Sequence, residues 1–400
     1  MLISRKLLVL LILLAIFTRP ALASHTAKVP VIINFKDTVT PADVQMVRDL
    51  GGEIKYTYKI IPSIAASVPA ENLGEFRRHF RVSGIDDDVE VKAMDLMADN
   101  QINAPSVWNN GYTGQGVRVA IIDTGIVQNH PEFAGRVVTC EYTIGNTCED
   151  GDGHGTHVAG IAGAAGNLNT ANSDRAKGVA PNISFMVYKV LDDSGSGTLS
   201  SVIAGIDRAT KGPDGILGTG DEAQVISMSL GTSQTWKRTN CDNAYSSMTN
   251  AINTAVNNGI TVVAAAGNSG GAGVSNPGCI STTIVVGAVN FNDELARFSG
   301  QGFAMKDHGV VASGVGIFST WLNNGYNTIS GTSMATPVVS GTVALLKSAN
   351  PSLTPTDMKT KLFSTAKDLG SSGSDNKFGN GRIDAYRAYI CATGGACTRP

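Results

Sequence analysis

The sequence predicts an α/β chain: a doubly wound parallel sheet preceded by a small α+β module. Three observations carry this prediction. From Gly116 onward, short apolar runs alternate with helix-like stretches. Val117–Ile122 is apolar almost without a break, as expected of a parallel strand covered on both faces. Residues 24–94 repeat the alternation on a smaller scale. Glycine contributes 46 of 400 residues and charged residues only 16%, which suits a compact, turn-rich fold and excludes a disordered chain. A net charge of −2 gives no reason to expect a nucleic acid as partner.

Residues 1–23 read as a signal peptide. Arg5 and Lys6 precede the apolar run Leu7–Phe17, and Ala21-Leu22-Ala23 fits the small-x-small cleavage rule. The run is too short for a bilayer, which needs about 20 residues. The product is therefore expected to be secreted, with no membrane attachment after cleavage. Next come a strand, Val29–Phe35, and a helix over Pro41–Leu50 ended by Gly51-Gly52. Ile54–Ile60 and Ile64–Val68 read as strands, Ala70–Phe80 as a helix, and Val82–Val91 as a final strand. Strand, helix, two strands, helix, strand is the ferredoxin-like succession. The basic run Arg77, Arg78, His79 and Arg81 falls in the second helix and reads as a solvated face.

In the larger part, strands are expected at Val117–Ile122, Ile183–Val190, Val225–Met228, Ile260–Ala265 and Ile284–Val289. Helices are expected at His157–Ala165, Leu199–Ala209, Met248–Asn257 and Ser333–Lys347. In such sheets the working residues gather beyond the carboxyl ends of the strands. Asp123, Ser229 and Gly267-Asn268 all stand at such ends.

All six cysteines lie beyond residue 139, which suits disulfides in an oxidising compartment. Six cysteines can pair in 15 ways, among which sequence does not choose. Short loops favour Cys140–Cys148 and Cys391–Cys397, which leaves Cys241 with Cys279.

Three distant motifs each hold a residue suited to acyl transfer: VRVAIIDTGI at Asp123, GHGTHVAG at His157 and SGTSMATP at Ser333. A serine hydroxyl is a poor nucleophile until a base takes its proton. His157 is read as that base, and Asp123 as the carboxylate that fixes its tautomer. A fourth motif, AAAGNS, supplies Asn268, whose amide, with the Ser333 backbone N–H, would stabilise the oxyanion. The order Asp, His, Ser and these four motifs resemble the subtilases, the subtilisin-family serine endopeptidases. The resemblance runs over roughly residues 29–390.

The resemblance implies a subtilisin-like catalytic domain at 95–400 and an inhibitory propeptide at 24–94, with maturation between Met94 and Asp95. It implies an extended substrate beside Ser229-Leu230-Gly231 and Ser196-Gly197. Ala264, Ala265, Ala266 and Gly267 would wall the primary pocket, with Ser275 at its base. None is charged, and the self-cleavage segment Val91-Lys92-Ala93-Met94 ends on an apolar residue. Broad, apolar-leaning specificity for protein or peptide substrates follows. Structural Ca²⁺ is also implied, with Glu132, Asn167, Asn169 and Asp174 as ligands, and no organic cofactor; an additional loop, Lys211–Glu222, offers Asp214, Asp221 and Glu222 among glycines as further oxygen ligands. The propeptide is the implied inhibitory partner, and the enzyme is expected as a monomer.

Two rival readings are weaker. Asp150, Asp152, His154 and His157 could be taken for metal ligands of a metallohydrolase, but this leaves Ser333 and Asn268 without a task. A catalytically silent subtilase used for binding would not need the three motifs and Asn268 together. A product burst with a chromogenic ester, blocked by a serine-directed reagent, separates enzyme from binder.

Overall fold

The computed structural model describes residues 27–93, 101–166 and 176–400. The leader, the Met94–Asp95 junction, and Asn167, Asn169 and Asp174 lie outside these residues.

The first module runs β1 (Lys28–Phe35), α1 (Pro41–Asp49), β2 (Glu53–Thr57), β3 (Ser63–Pro69), α2 (Leu73–Arg78) and β4 (Val82–Asp87). A capping box between Thr40 and Asp43 starts α1, with Pro41 in its first turn. The four strands pair antiparallel in the order β2-β3-β1-β4. Ile33, Val47, Ile64 and Phe76 close its core. The segment Val82–Val91 is two strands rather than one. β4 stays with β1, while β5 (Glu90–Ala93) joins a different sheet.

After α3 (Ala104–Trp108), β6 (Arg118–Asp123) enters the main sheet. It is followed by β7 (Val137–Tyr142), α4 (His154–Gly163), β8 (Ser184–Lys189), β9 (Ser196–Thr198) and α5 (Leu199–Lys211). Next are β10 (Val225–Met228), β11 (Leu230–Thr232), β12 (Thr235–Trp236), α6 (Ser246–Asn257), β13 (Thr261–Ala265) and β14 (Val274–Ser275). The chain continues through β15 (Ile284–Val289), α7 (Phe303–His308), β16 (Gly309–Ser313) and the hairpin β17 (Ile317–Thr320) and β18 (Tyr326–Ile329). It finishes with α8 (Thr332–Ala349), α9 (Pro355–Thr365) and α10 (Ala385–Ala392).

Seven parallel strands form the main sheet in the order β16-β15-β13-β10-β6-β8-β7. Alternation within β6 divides the core. Val119 and Ile121 face a cluster shared with α4 and α8, and Ala120 and Ile122 face one shared with α5 and α6. Both faces are therefore covered, and the interiors of the central strands β6, β10, β13 and β15 are apolar apart from Ser227. The chain leaves β6 toward β7 and β8, then returns to β10 on the other side. The crevice of such a sheet lies at this reversal, beyond Asp123 and Met228. Strands β7 and β16 were not apparent from the sequence; each is an edge of the sheet, where alternation is less regular.

The first module rests on the N-termini of α5 and α6. Asp88 accepts from the backbone and hydroxyl of Ser200, and Asp86 accepts from Ser247 N at 2.7 Å and Ser246 Oγ at 3.1 Å. A carboxylate is favoured at the positive end of a helix dipole. Asp88 also turns the chain between β4 and β5. Disulfides join Cys140 to Cys148, Cys241 to Cys279 and Cys391 to Cys397, the pairing that short loops favour.

Candidate active site

Asp123 ends β6 and His154 begins α4. His154 Nδ1–H donates to Asp123 Oδ1 at 2.6 Å, and Thr124 N donates to the same oxygen at 2.8 Å. Both side chains are buried. Gly153, at φ 102°, makes the turn into α4. Gly155 brings the first turn of α4 onto the loop after β6, since a Cβ there would stand 2.2 Å from Gly125 O. Lys189 fastens the same two segments from behind. Its Nζ donates to Thr124 O at 2.7 Å and Glu149 O at 3.1 Å.

The assignment of the base to His157 is corrected by this geometry. His157 lies one turn further along α4, and its Nε2–H donates to Asn327 O at 3.1 Å. Its Nδ1 is buried with no partner among the described residues, and Trp321 meets its ring edge-on at 5.8 Å. Burial holds its pKa down to about 3, with a further depression from His154. The error came from the helix boundary. Starting the helix at His157 puts that residue at the crevice, whereas α4 starts at His154. The signal was available in Gly153, a turn residue immediately before the first histidine.

Ser333 is the second residue of α8, and Gly331 precedes the helix. Its N–H belongs to the first turn, whose donors have no partner within the helix. Ser333 Oγ donates to Ser229 O at 3.1 Å, and Ser229 Oγ donates to Ser333 O at 2.6 Å. The crevice beyond β10 and the start of α8 are thus locked together. Asn268 Oδ1 accepts from Thr332 N and from Thr332 Oγ1, each at 3.1 Å. With its oxygen so committed, the donor end of the amide is the end turned away from Thr332.

β5 lies antiparallel between β11 and β9. Leu230 is opposite Ala93 and Gly231 opposite Lys92 on one side; Gly197 is opposite Val91 and Ser196 opposite Lys92 on the other. The edges expected to hold an extended peptide hold one, and it comes from this chain. Ala264 and Ala265 lie within β13, hydrogen-bonded into the main sheet and buried. Only Ala266 and Gly267 pass beyond its end. Ser275 N donates to Ala266 O at 3.0 Å, and Ser275 Oγ is buried with no partner among the described residues.

The expected calcium ligands fit poorly. Glu222 accepts from Thr219 N and Gly220 N at 2.9 Å each, and from Gly218 N. Asp221 accepts from Asp214 N at 3.1 Å, and Asp214 from Ile216 N at 2.7 Å. These carboxylates serve the loop's own amides. Glu132 is buried, accepting from Gly166 N at 2.6 Å and Tyr326 Oη at 3.0 Å. Among the described residues, no three His, Cys, Asp or Glu side chains form a group able to hold a metal.

Comparison with known proteins identifies the family. Residues 114–381 match the subtilase family model. Subtilisin E of Bacillus subtilis (strain 168) is 36% identical over 373 residues, covering 89% of each chain. The thermostable alkaline protease of Halalkalibacterium halodurans is 35% identical, covering 96% of this chain and 99% of its own. The alkaline elastase YaB of Bacillus sp. (strain YaB) is 33% identical, covering 95% of this chain and 96% of its own. With a seven-stranded parallel sheet, an Asp–His pair at its crevice and this similarity along nearly its whole length, the chain belongs to the subtilase family and is a subtilisin-like serine endopeptidase.

Proposed function

We propose that the chain is a secreted, self-processing zymogen whose first module inhibits the protease it precedes. The observation that carries this reading is β5. A segment of the same chain occupies the strand position between β9 and β11 where an extended substrate would add. β5 ends at Ala93, one residue short of the proposed cut between Met94 and Asp95. The docking of Asp86 and Asp88 on α6 and α5 favours a module that stays bound after the cut.

In the proposed reaction, His154 Nε2 removes the Ser333 hydroxyl proton as Oγ attacks the scissile carbonyl. Asp123 orients His154 through Nδ1 and stabilises the imidazolium. The Asn268 amide and the Ser333 N–H stabilise the oxyanion. When the tetrahedral intermediate collapses, the C–N bond breaks and His154 gives its proton to the leaving amine. Water then releases the acyl group by the same steps. Specificity is proposed to be broad and apolar-leaning, since no charged side chain stands at Ala266, Gly267 or Ser275. Calcium is given no step: Glu132, Asp214 and Asp221 each accept hydrogen bonds from protein donors.

The test compares the full chain with Ser333→Ala. The amino terminus of the first should be Asp95, and the second should stay an uncut precursor. A wild-type chain that stays uncut while hydrolysing peptides would overturn the zymogen reading, and a Ser333→Ala chain that still cleaves itself would overturn the nucleophile.

A further inference from the structure

We infer that Asp150 is a positioning residue, which sets the Asp123–His154 pair for catalysis without touching substrate. The inference rests on the reading of Ser333, His154 and Asp123 given above. Asp150 lies four residues before His154 and is only 5% exposed. No cation accompanies it among the described residues; its carboxylate is instead filled by five donors. Oδ1 accepts from Thr124 Oγ1 at 2.9 Å, Gly153 N at 2.9 Å and Asp152 N at 3.1 Å. Oδ2 accepts from Thr156 N at 2.8 Å and Thr156 Oγ1 at 2.6 Å.

The identity of these donors gives the arrangement its meaning. Thr124 directly follows Asp123. Gly153 directly precedes His154, and Thr156 is in the same turn of α4. One carboxylate therefore grips both segments that carry the pair. Two hydroxyls extend the grip. Thr124 Oγ1 accepts from Gly155 N at 2.8 Å, and Thr156 Oγ1 accepts from Val127 N at 3.0 Å. Each threonine donates its proton to Asp150 and accepts an amide from the opposite segment. The network thus needs an acceptor with two oxygens and a negative charge at its centre. A carboxamide supplies one oxygen and would aim N–H at N–H on the other side. A misplacement on the order of 1 Å in such a pair can cost about 100-fold in rate.

The experiment measures kcat and KM of the protein expressed as the full chain, per active site counted by burst titration, for Asp150→Asn, Thr124→Val and Thr124→Ser. It also records the downfield His154 Nδ1–H resonance by proton NMR. Asp150→Asn should lower kcat about 10–100-fold with KM unchanged, and should shift or broaden the resonance. Thr124→Val, which removes the two hydrogen bonds of one hydroxyl and keeps the charge, should lower kcat about 3–10-fold, and Thr124→Ser should restore it to within about twofold. Three results would overturn the inference: each surviving Asp150→Asn site turning over at the wild-type rate with an unchanged resonance, the loss falling on KM, or Thr124→Ser acting like Thr124→Val. His154→Ala is the control. Activity surviving in that variant defeats the reading of the site itself, whatever Asp150 does.

Discussion

Two histidines stand one turn apart on α4, and they have opposite fates. His154 opens the helix at the crevice, and its ring faces the carboxylate of Asp123. His157 lies beneath the β17–β18 hairpin, bonded to a backbone carbonyl and pressed by Trp321. Residue type and helix are the same, and both rings are fully buried. The difference lies in the partner. A carboxylate can stabilise an imidazolium that forms during reaction, whereas backbone carbonyls in a desolvated site leave the ring neutral. Chemistry at this helix is thus decided by register within one turn.

The most direct way to break the comparison is to exchange the two losses. His154→Ala should lower kcat at least ~10³-fold and leave the fold intact. His157→Ala should leave kcat per titrated site within about threefold and lower the thermal midpoint by several degrees, as loss of a buried, packed side chain does. Active-site titration with calorimetry on each variant checks both. A His157→Ala enzyme that folds normally and does not turn over would reverse the assignment.

Next in size is the donor proposed to face the developing charge. Asn268→Ala should reduce kcat about 10²–10³-fold with KM nearly constant, the magnitude known for such a donor in a subtilisin. Asn268 depends on the start of α8 much as His154 depends on the start of α4, because Thr332 holds its oxygen. Steady-state kinetics with a peptide anilide measures this. A loss carried wholly by KM would show that Asn268 binds substrate rather than the transition state.

The sequence makes much of this site legible. Asp123, Asn268 and Ser333 follow apolar runs or precede a helix in ways that place them at the carboxyl edge of the sheet. The edges proposed for substrate, Ser196-Gly197 and Ser229-Leu230-Gly231, were legible only through the family resemblance, and the structure puts β5 between β9 and β11. What stayed hidden depended on boundaries and long-range partners. His154 was lost because the helix start was placed three residues late, and the site turns on which histidine opens the helix. The break between β4 and β5 is made by Asp88 meeting Ser200, a contact no local pattern contains. Asp150 looks like a metal ligand when only its neighbours in sequence are considered; Thr124 supplies the other half of its role from a different element.

The comparison also has a titration signature. His157 has its pKa held at about 3 in the fold, against 6.5 when unfolded. Between those values the unfolded chain binds the extra proton, so stability rises with pH and is lost as pH falls from about 6.5 toward 3. His157→Asn removes the titrating ring and keeps a polar, uncharged side chain on the helix. In a Ser333→Ala background, which prevents autolysis, the urea midpoint of His157→Asn should fall less between pH 7 and pH 4 than that of its parent. Equal slopes would mean that His157 is charged in the fold.

The smallest expected effect tests how firmly the hairpin holds the second turn. Ser319 Oγ donates to His157 O at 2.9 Å, and Thr320 Oγ1 donates to Thr156 O at 2.8 Å. The hairpin lies directly on α4, since a Cβ at Gly160 would stand 2.1 Å from Thr320 Oγ1. The two carbonyls also accept from the helix's own amides, so losing one hydroxyl leaves neither oxygen unsatisfied. Ser319→Ala should therefore cost only about 0.5–1 kcal/mol by urea unfolding, with kcat unchanged. The first turn keeps Thr320 Oγ1 on Thr156 O and is also held from the other side by Asp150, Thr124 and Lys189, so loss of the Ser319 hydroxyl alone leaves it in place. A fall in kcat on Ser319→Ala would show instead that the cover over His157 also sets the position of His154, and the two turns would have to be treated as one device.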